Sequence, residues 1–237
     1  MKPEVSCVVP ARFSSSRFPG KPLVPICGRP MILRTLDRAI AAGCFRNVVC
    51  ATDDIRILNA VEEAGFSAVM TAPAKTGSDR VAEAARKLGL DLVVNLQGDE
   101  PLANLQTLRD VANALAEEPE SWVTVAVPLA DADRETLSIV KVEVDAQNYA
   151  TDFVREIPPG NRRWMRHVGI YAYSAKAREE FAALPQSASE KERSLEQLRI
   201  LGKRPIKVVS TTSLSASVDL PSDVQKVETL FLKMGKP

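Results

Sequence analysis

Four short apolar runs in the first hundred residues are each closed by proline, glycine or acidic residues, and helix-spaced segments separate them. Ser6 to Val9 ends at Pro10 and leads into a polar loop from Arg12 to Lys21. Leu33, Leu36 and Ile40 then recur at helical spacing until Gly43 stops them. Asn47 to Ala51 is the next β-like run, and Asp53 and Asp54 can cap a helix carrying Leu58 and Val61 that ends at Gly65. Ser67 to Thr71 is a third strand, and Val81, Ala84, Ala85 and Leu88 mark another helix ahead of Gly89. Leu92 to Leu96 is continuously apolar and breaks at Gln97-Gly98-Asp99-Glu100-Pro101. Strands alternating with helices of this length predict parallel βαβ units, and apolar rather than alternating strands predict a sheet covered on both faces.

The second half has more strand and less helix. Val123 to Leu129, Ile139 to Val144 and His167 to Tyr173 read as strands. Val140, Val142 and Val144 alternate with Lys141, Glu143 and Asp145, which predicts one solvated face. A helix over about 191–201, the strand Ile206 to Ser210, and a last helix with Val224, Val227, Phe231 and Met234 on one face complete the pattern. The expected architecture is α/β, a Rossmann-like, mostly parallel sheet flanked by helices with a smaller mixed lobe. One domain is expected over 1–237, with the alternating βα half at about 1–120 and the strand-richer half at about 121–237.

Bulk chemistry narrows the partners. The chain carries 31 basic and 30 acidic residues, so no global field draws it to nucleic acid or an acidic membrane, and any anion site must be local. No apolar stretch approaches the ~20 residues of a membrane helix. MKPEVSCVVPAR resembles no signal peptide, so a cytoplasmic setting is expected. Cys7, Cys27, Cys44 and Cys50 form no C-x-x-C pair and are expected to be free thiols.

The loop after the first strand gathers two arginines, a lysine and three serines in ten positions. Ligands of open α/β sheets bind at strand carboxyl ends, where backbone N–H groups can approach an anion. Arg12, Arg17 and Lys21 would set three positive charges around a triphosphate. By composition alone the loop is equally a solvated basic turn, and it matches neither G-x-G-x-x-G nor G-x-x-x-x-G-K-[ST]. Asp99 and Asp219 each follow an apolar run, where a carboxylate held at a strand end could face the same crevice. Without further context Asp99 is also an ordinary turn residue, Asp219 an ordinary capping one, and the sole histidine, His167, a structural one.

Pro10-Ala11-Arg12 through Ser15, Arg17 and Pro19-Gly20-Lys21-Pro22-Leu23 resembles the nucleotide loop of the 3-deoxy-manno-octulosonate cytidylyltransferases. The resemblance continues in order through ATDD (51–54), TGSDR (76–80), NLQGDEP (95–101), IVKVEVD, RHVGIYAY (166–173), LEQLR (195–199) and VDLPSD (218–223), nearly the whole chain. It implies a homodimeric enzyme that joins CMP from CTP to an acidic 2-keto-3-deoxy sugar and releases pyrophosphate, for lipopolysaccharide or capsule synthesis, with the nucleotide bound in the half at about 1–120 and the sugar, with the dimer contact, in the half at about 121–237. Catalysis falls to Lys21, Arg17 and Asp99; nucleotide binding to Pro10, Ala11, Arg12, Ser15, Arg17, Lys21 and Gln97. Sugar binding falls to Arg80, Gln97, Arg155, His167, Glu196 and Gln197, and Mg2+ to Asp99 and Asp219. The chain departs from the pattern at Thr151-Asp152-Phe153-Val154, where an aromatic residue and a serine are usual, and in the short loop from Pro158 to His167. Asp152 adds a negative charge near an acidic substrate, which admits a modified octulosonate such as an 8-amino analogue, or another ulosonate. A catalytically silent nucleotide-binding paralogue would be marked by loss of Asp99, Asp219 or Lys21, and all three are present.

Overall fold

A computed structural model describes residues 4–14 and 18–234. Strand β1 (Val5–Ala11) is followed by a two-strand ribbon, β2 (Pro25–Ile26) and β3 (Arg29–Pro30), then α1 (Met31–Ala42) and β4 (Val48–Thr52). The βα alternation runs on through α2 (Ile55–Glu63), β5 (Ser67–Met70), α3 (Gly77–Lys87), β6 (Leu92–Asn95), α4 (Leu105–Glu117) and β7 (Trp122–Pro128). Three consecutive strands come next: β8 (Lys141–Val144), β9 (Ala150–Val154) and β10 (Trp164–Ser174). The chain closes with α5 (Ala175–Ala183), α6 (Ala188–Arg193), β11 (Ile206–Ser210) and α7 (Asp223–Lys233).

Local chemistry sets several of these boundaries. Asp54 caps α2 by accepting from the Arg56 N–H, as its sequence position predicts. Thr76 and Asp79 form a reciprocal capping box at α3, each side chain accepting from the other's backbone N–H at 3.1 Å. Gly43 ends α1 at φ 67°, a conformation most side chains resist. The four cysteines are free, and burial pushes the Cys50 thiol up to about 12, which keeps it protonated and inert.

The sheet order is β11-β7-β10-β6-β1-β4-β5. β1 lies parallel to both β4 and β6, β4 is parallel to β5, and β7 is parallel to β11. β10 enters antiparallel between β6 and β7, because it arrives from a hairpin rather than a helical crossover. Its first residues pair with β8, and its last, from Tyr171 on, pair with β6, so β10 ties the β8–β9 hairpin to the main sheet. Alternate strand residues feed a core on each face: Cys7, Val9 and Val94 on one, Val8, Val93 and Ala126 on the other. On the second face Trp122 packs against Tyr173 at 4.5 Å and Phe181 at 5.1 Å between ring centroids. Among the described residues no helix is long and apolar enough to cross a membrane.

Three expectations need correction. Lys141 does not lie on a solvated face; it is fully buried, and its ammonium donates to the carbonyls of Thr136 (2.8 Å) and Arg155 (2.6 Å). The loop ahead of β8 reaches Lys141 through the Thr136 carbonyl, while Glu143 and Asp145 stay partly exposed, so the alternation fails only at Lys141. The helix expected over 191–201 is broken: α6 stops at Arg193, Ser194 turns left-handed at φ 54°, and a separate 3-10 turn spans Glu196–Arg199. Asp219 does not follow a strand; it ends an irregular segment that bonds Val218 N–H to the Asp99 carbonyl at 3.0 Å.

Candidate active site

The carboxyl ends of β1 and β6 meet at one point. A Cβ on Gly98 would lie 2.7 Å from the Pro10 carbonyl oxygen, so only glycine lets the loop after β6 pass this close to the end of β1. That approach sets Asp99 against Lys21, which begins a 3-10 turn after Gly20 at φ 72°. The Lys21 ammonium donates to Asp99 Oδ2 (2.5 Å) and the Val218 carbonyl (2.9 Å), and lies 3.7 Å from Asp219 Oδ1. Strand, basic loop and the segment ahead of α7 are thereby joined through one nitrogen.

A cavity opens on this point, walled by Pro10, Ala11, Arg12, Arg80, Gln97 and Asp219 among others. Arg80 is buried on α3, where it donates to Thr71 Oγ1 (2.6 Å) and Asp53 Oδ2 (2.7 Å). Ser15 and Arg17 lie outside the described residues.

A second cavity, of about 390 Å³, adjoins the first and shares Asp219 with it. His167, Glu196, Gln197, Tyr171, Glu100 and Arg166 help to wall it. Gln197 is buried; its Oε1 takes a long bond from the Tyr171 hydroxyl (3.5 Å), and its Nε2 has no partner among the described residues. An unpaired buried amide is costly, and this one belongs to a residue that lines the cavity. Burial raises the Glu196 carboxyl against the pull of Ser78, whose hydroxyl donates to it at 2.8 Å. A polar chain runs between the cavities: Gln97 Nε2 donates to Asn95 Oδ1 (3.0 Å), Asn95 Nδ2 to Ser78 Oγ (3.4 Å), and Ser78 to Glu196.

Burial also pushes the Glu100 carboxyl up to about 7, and the neighbouring Asp99 and Asp219 charges add to it against a hydrogen bond from Ser215. His167 is driven down to about 3 by desolvation, so its imidazole is neutral at physiological pH.

The sequence-derived residues divide accordingly. Pro10, Ala11, Arg12, Lys21, Gln97, Asp99 and Asp219 share the first cavity, with Arg80 among them rather than beside the other sugar candidates. His167, Glu196 and Gln197 share the second. Arg155 lines neither; its guanidinium turns back onto the carbonyls of Leu137 (3.1 Å) and Ser138 (3.3 Å). Asp152 also lines neither, and its charge is met by Arg193 at 2.8 Å. Sequence reasoning missed Arg166 and Glu100. Arg166 is the sole Lys or Arg among the described residues walling the second cavity, and its guanidinium donates to Asp133 at 2.9 Å. Both sit inside quoted motifs, beside His167 and Asp99, and that adjacency was the available signal.

The architecture places the chain among α/β enzymes that take nucleotides at strand carboxyl ends. Residues 6–207 match the family model described as cytidylyltransferase. A 3-deoxy-manno-octulosonate cytidylyltransferase of Anaeromyxobacter sp. (strain Fw109-5) is 44% identical, covering 96% of each chain. A solved CMP:2-keto-3-deoxy-manno-octonic acid synthetase complexed with CTP superposes with a TM-score of 0.92 at 34% identity, over 98% of this chain and 99% of that one. The fold alone is shared with a putative glucose-1-phosphate thymidylyltransferase from Bacillus anthracis, with a TM-score of 0.70 at 15% identity over 95% and 94% of the two chains. The chain belongs to the cytidylyltransferase family.

Proposed function

We propose that the chain transfers CMP from CTP to the anomeric C2 hydroxyl of 3-deoxy-manno-octulosonate and releases pyrophosphate. The observation that carries this reading is Asp219, which borders both cavities and so puts a cationic, carboxylate-edged chamber next to one built for hydroxyls and a carboxylate. The names of the relatives support the same reaction.

Arg12 and Lys21, with Arg17, hold the triphosphate, and Gln97 bounds the nucleotide from the β6 side. A triphosphate entering the first cavity competes for the Lys21 ammonium and releases Asp99 and Asp219. Those two carboxylates already converge on one cationic nitrogen, which is the donor set a hard ion needs. Among the described residues no cluster of three or more His, Cys, Asp or Glu side chains is placed to hold an ion, and Mg2+ is commonly held by one or two carboxylates with phosphate oxygens and water. Bound there by Asp99 and Asp219, Mg2+ would supply charge neutralisation at the α-phosphate and the departing pyrophosphate. In the second cavity Arg166 faces the sugar carboxylate, while Gln197 Nε2, Glu196 and His167 meet hydroxyls. Positioning and fixed charge carry most of the rate in such a transfer.

Because Asp152 is neutralised by Arg193 away from both cavities, it gives no reason to prefer a cationic amino sugar. A cytoplasmic homodimer serving lipopolysaccharide or capsule synthesis completes the proposal. The test is pyrophosphate release from each of the four nucleoside triphosphates against a panel of acidic sugars. CTP with 3-deoxy-manno-octulosonate should lead the panel, and preference for another base or for the 8-amino analogue would replace this assignment.

A further inference from the structure

His167 is the only histidine in the chain, and its ring is gripped on several sides. Phe153 meets it edge-on at 5.2 Å and Tyr171 lies tilted at 5.6 Å between centroids. Its Nε2 is 2.9 Å from the hydroxyl of Thr124, a fully buried residue of β7. The same hydroxyl lies 3.0 Å from the carbonyl oxygen of Ile170. That second contact exists because β10 bulges: Val168 pairs with Val125 but Tyr171 pairs with Thr124, leaving Gly169 and Ile170 looped out.

The proton count at Thr124 settles the ring's tautomer. A threonine hydroxyl has one proton, and a carbonyl oxygen can only accept, so that proton goes to Ile170. The hydroxyl must then accept from His167, which requires a proton on Nε2. A neutral imidazole protonated on Nε2 carries a lone pair on Nδ1. His167 lines the second cavity, and its one side-chain hydrogen bond among the described residues uses Nε2, which leaves Nδ1 for a group that enters there.

We propose that Thr124 is a positioning residue that fixes His167 as its Nε2–H tautomer, so that Nδ1 faces the second cavity as an acceptor for a hydroxyl of the sugar acid. The proposal rests on the sugar-acid reading of that cavity. Neutrality of the ring throughout the working pH range is consistent with it, since a protonated ring would present a donor instead.

One histidine makes the test direct, because a protein labelled with 15N-histidine gives a single imidazole pattern. Wild-type protein should show a protonated Nε2 and an unprotonated Nδ1, and adding 3-deoxy-manno-octulosonate should shift the Nδ1 signal upfield. Thr124→Val, matched in shape but lacking the hydroxyl, should move the proton towards Nδ1. It should also raise KM for the sugar roughly tenfold, the worth of about one hydrogen bond, with KM for CTP unchanged. Thr124→Ser should restore both the spectrum and KM. An Nδ1–H wild-type ring overturns the proposal without any variant, even if Thr124→Val fails to fold. A tautomer indifferent to Thr124→Val, a sugar KM that stays put while the tautomer switches, or an Nδ1 signal unmoved by the sugar also overturns it. Failure of turnover with every sugar acid would instead count against the proposed reaction, since the spectrum of the unliganded protein is read independently of activity.

Discussion

Replacing Gly98 with alanine puts a methyl group 2.7 Å from the Pro10 carbonyl oxygen and 3.3 Å from Ile32 Cδ1. The first neighbour is backbone of β1, held at Pro10 by its pairing with Ala51 of β4, so it cannot swing aside as a side chain would. Relief must come from the Gln97–Asp99 loop, which moves outward by some tenths of an ångström and takes Asp99 with it. Overpacking of this kind costs about 1–3 kcal/mol. Because about 1 Å of misplacement at a reacting centre costs about a hundredfold, a shift of half that size predicts about a tenfold loss of kcat/KM. The Lys21–Asp99 bond and the Val218-to-Asp99 bond both hang on this loop, so the loss should appear in kcat more than in KM for CTP. Urea denaturation and a coupled pyrophosphate assay on Gly98→Ala measure the two effects. Wild-type stability together with wild-type kcat/KM would refute the claim that this glycine sets the site's geometry.

Lys141→Met should cost about 1 kcal/mol, because it removes the donor that the part-buried carbonyls of Thr136 and Arg155 share. Amide exchange over 131–139 should quicken in the same variant, and unchanged protection there would contradict the pinning role. His167 sets a pH dependence: its folded pKa of about 3 lies below the unfolded ~6.5, so the unfolded chain binds the extra proton. Its contribution to stability is therefore complete above pH ~6.5 and falls by about 1.4 kcal/mol per unit as acid is added towards the folded value. His167→Gln should flatten that part of the curve, and identical pH profiles for the two proteins would refute it. Cys27 sits at φ 46° ahead of Gly28 at φ 75° in the β2–β3 turn, where Asn-Gly is the favoured pair. Cys27→Asn should accordingly raise the urea midpoint, and a lower one would show that the Cys27 side chain matters more than the turn.

Much of this fold was legible because its first half is built from local signals. Asp54, Thr76 and Gly43 sit where caps belong, and the breaks at Pro10 and Gln97-Gly98-Asp99 mark the strand ends that form the first cavity. The second half depends on pairings that no local pattern encodes. Lys141 alternates with valines as a surface lysine would, and only the carbonyls folded over it make the interior tolerable. Ser194 interrupts a helical-looking stretch with a left-handed turn, an uncommon conformation for a residue other than glycine. Asp219 reaches Lys21 through a segment without regular structure, held by the Val218–Asp99 bond rather than by a strand. Arg155 and Asp152 were read by motif position, but ion pairs and carbonyl contacts distant in sequence turn both away from the cavities. Arg166 is harder for a different reason: its place beside His167 is a signal, but neighbouring strand residues point to opposite faces, so only the fold shows that both wall one cavity.

The most direct test is pyrophosphate release from the purified protein with CTP, Mg2+ and 3-deoxy-manno-octulosonate, against matched reactions lacking each in turn. The account predicts release only when all three are present. Folded, CTP-binding protein that releases none would contradict it, and release that persists without the sugar would show that the second cavity does not take the acceptor.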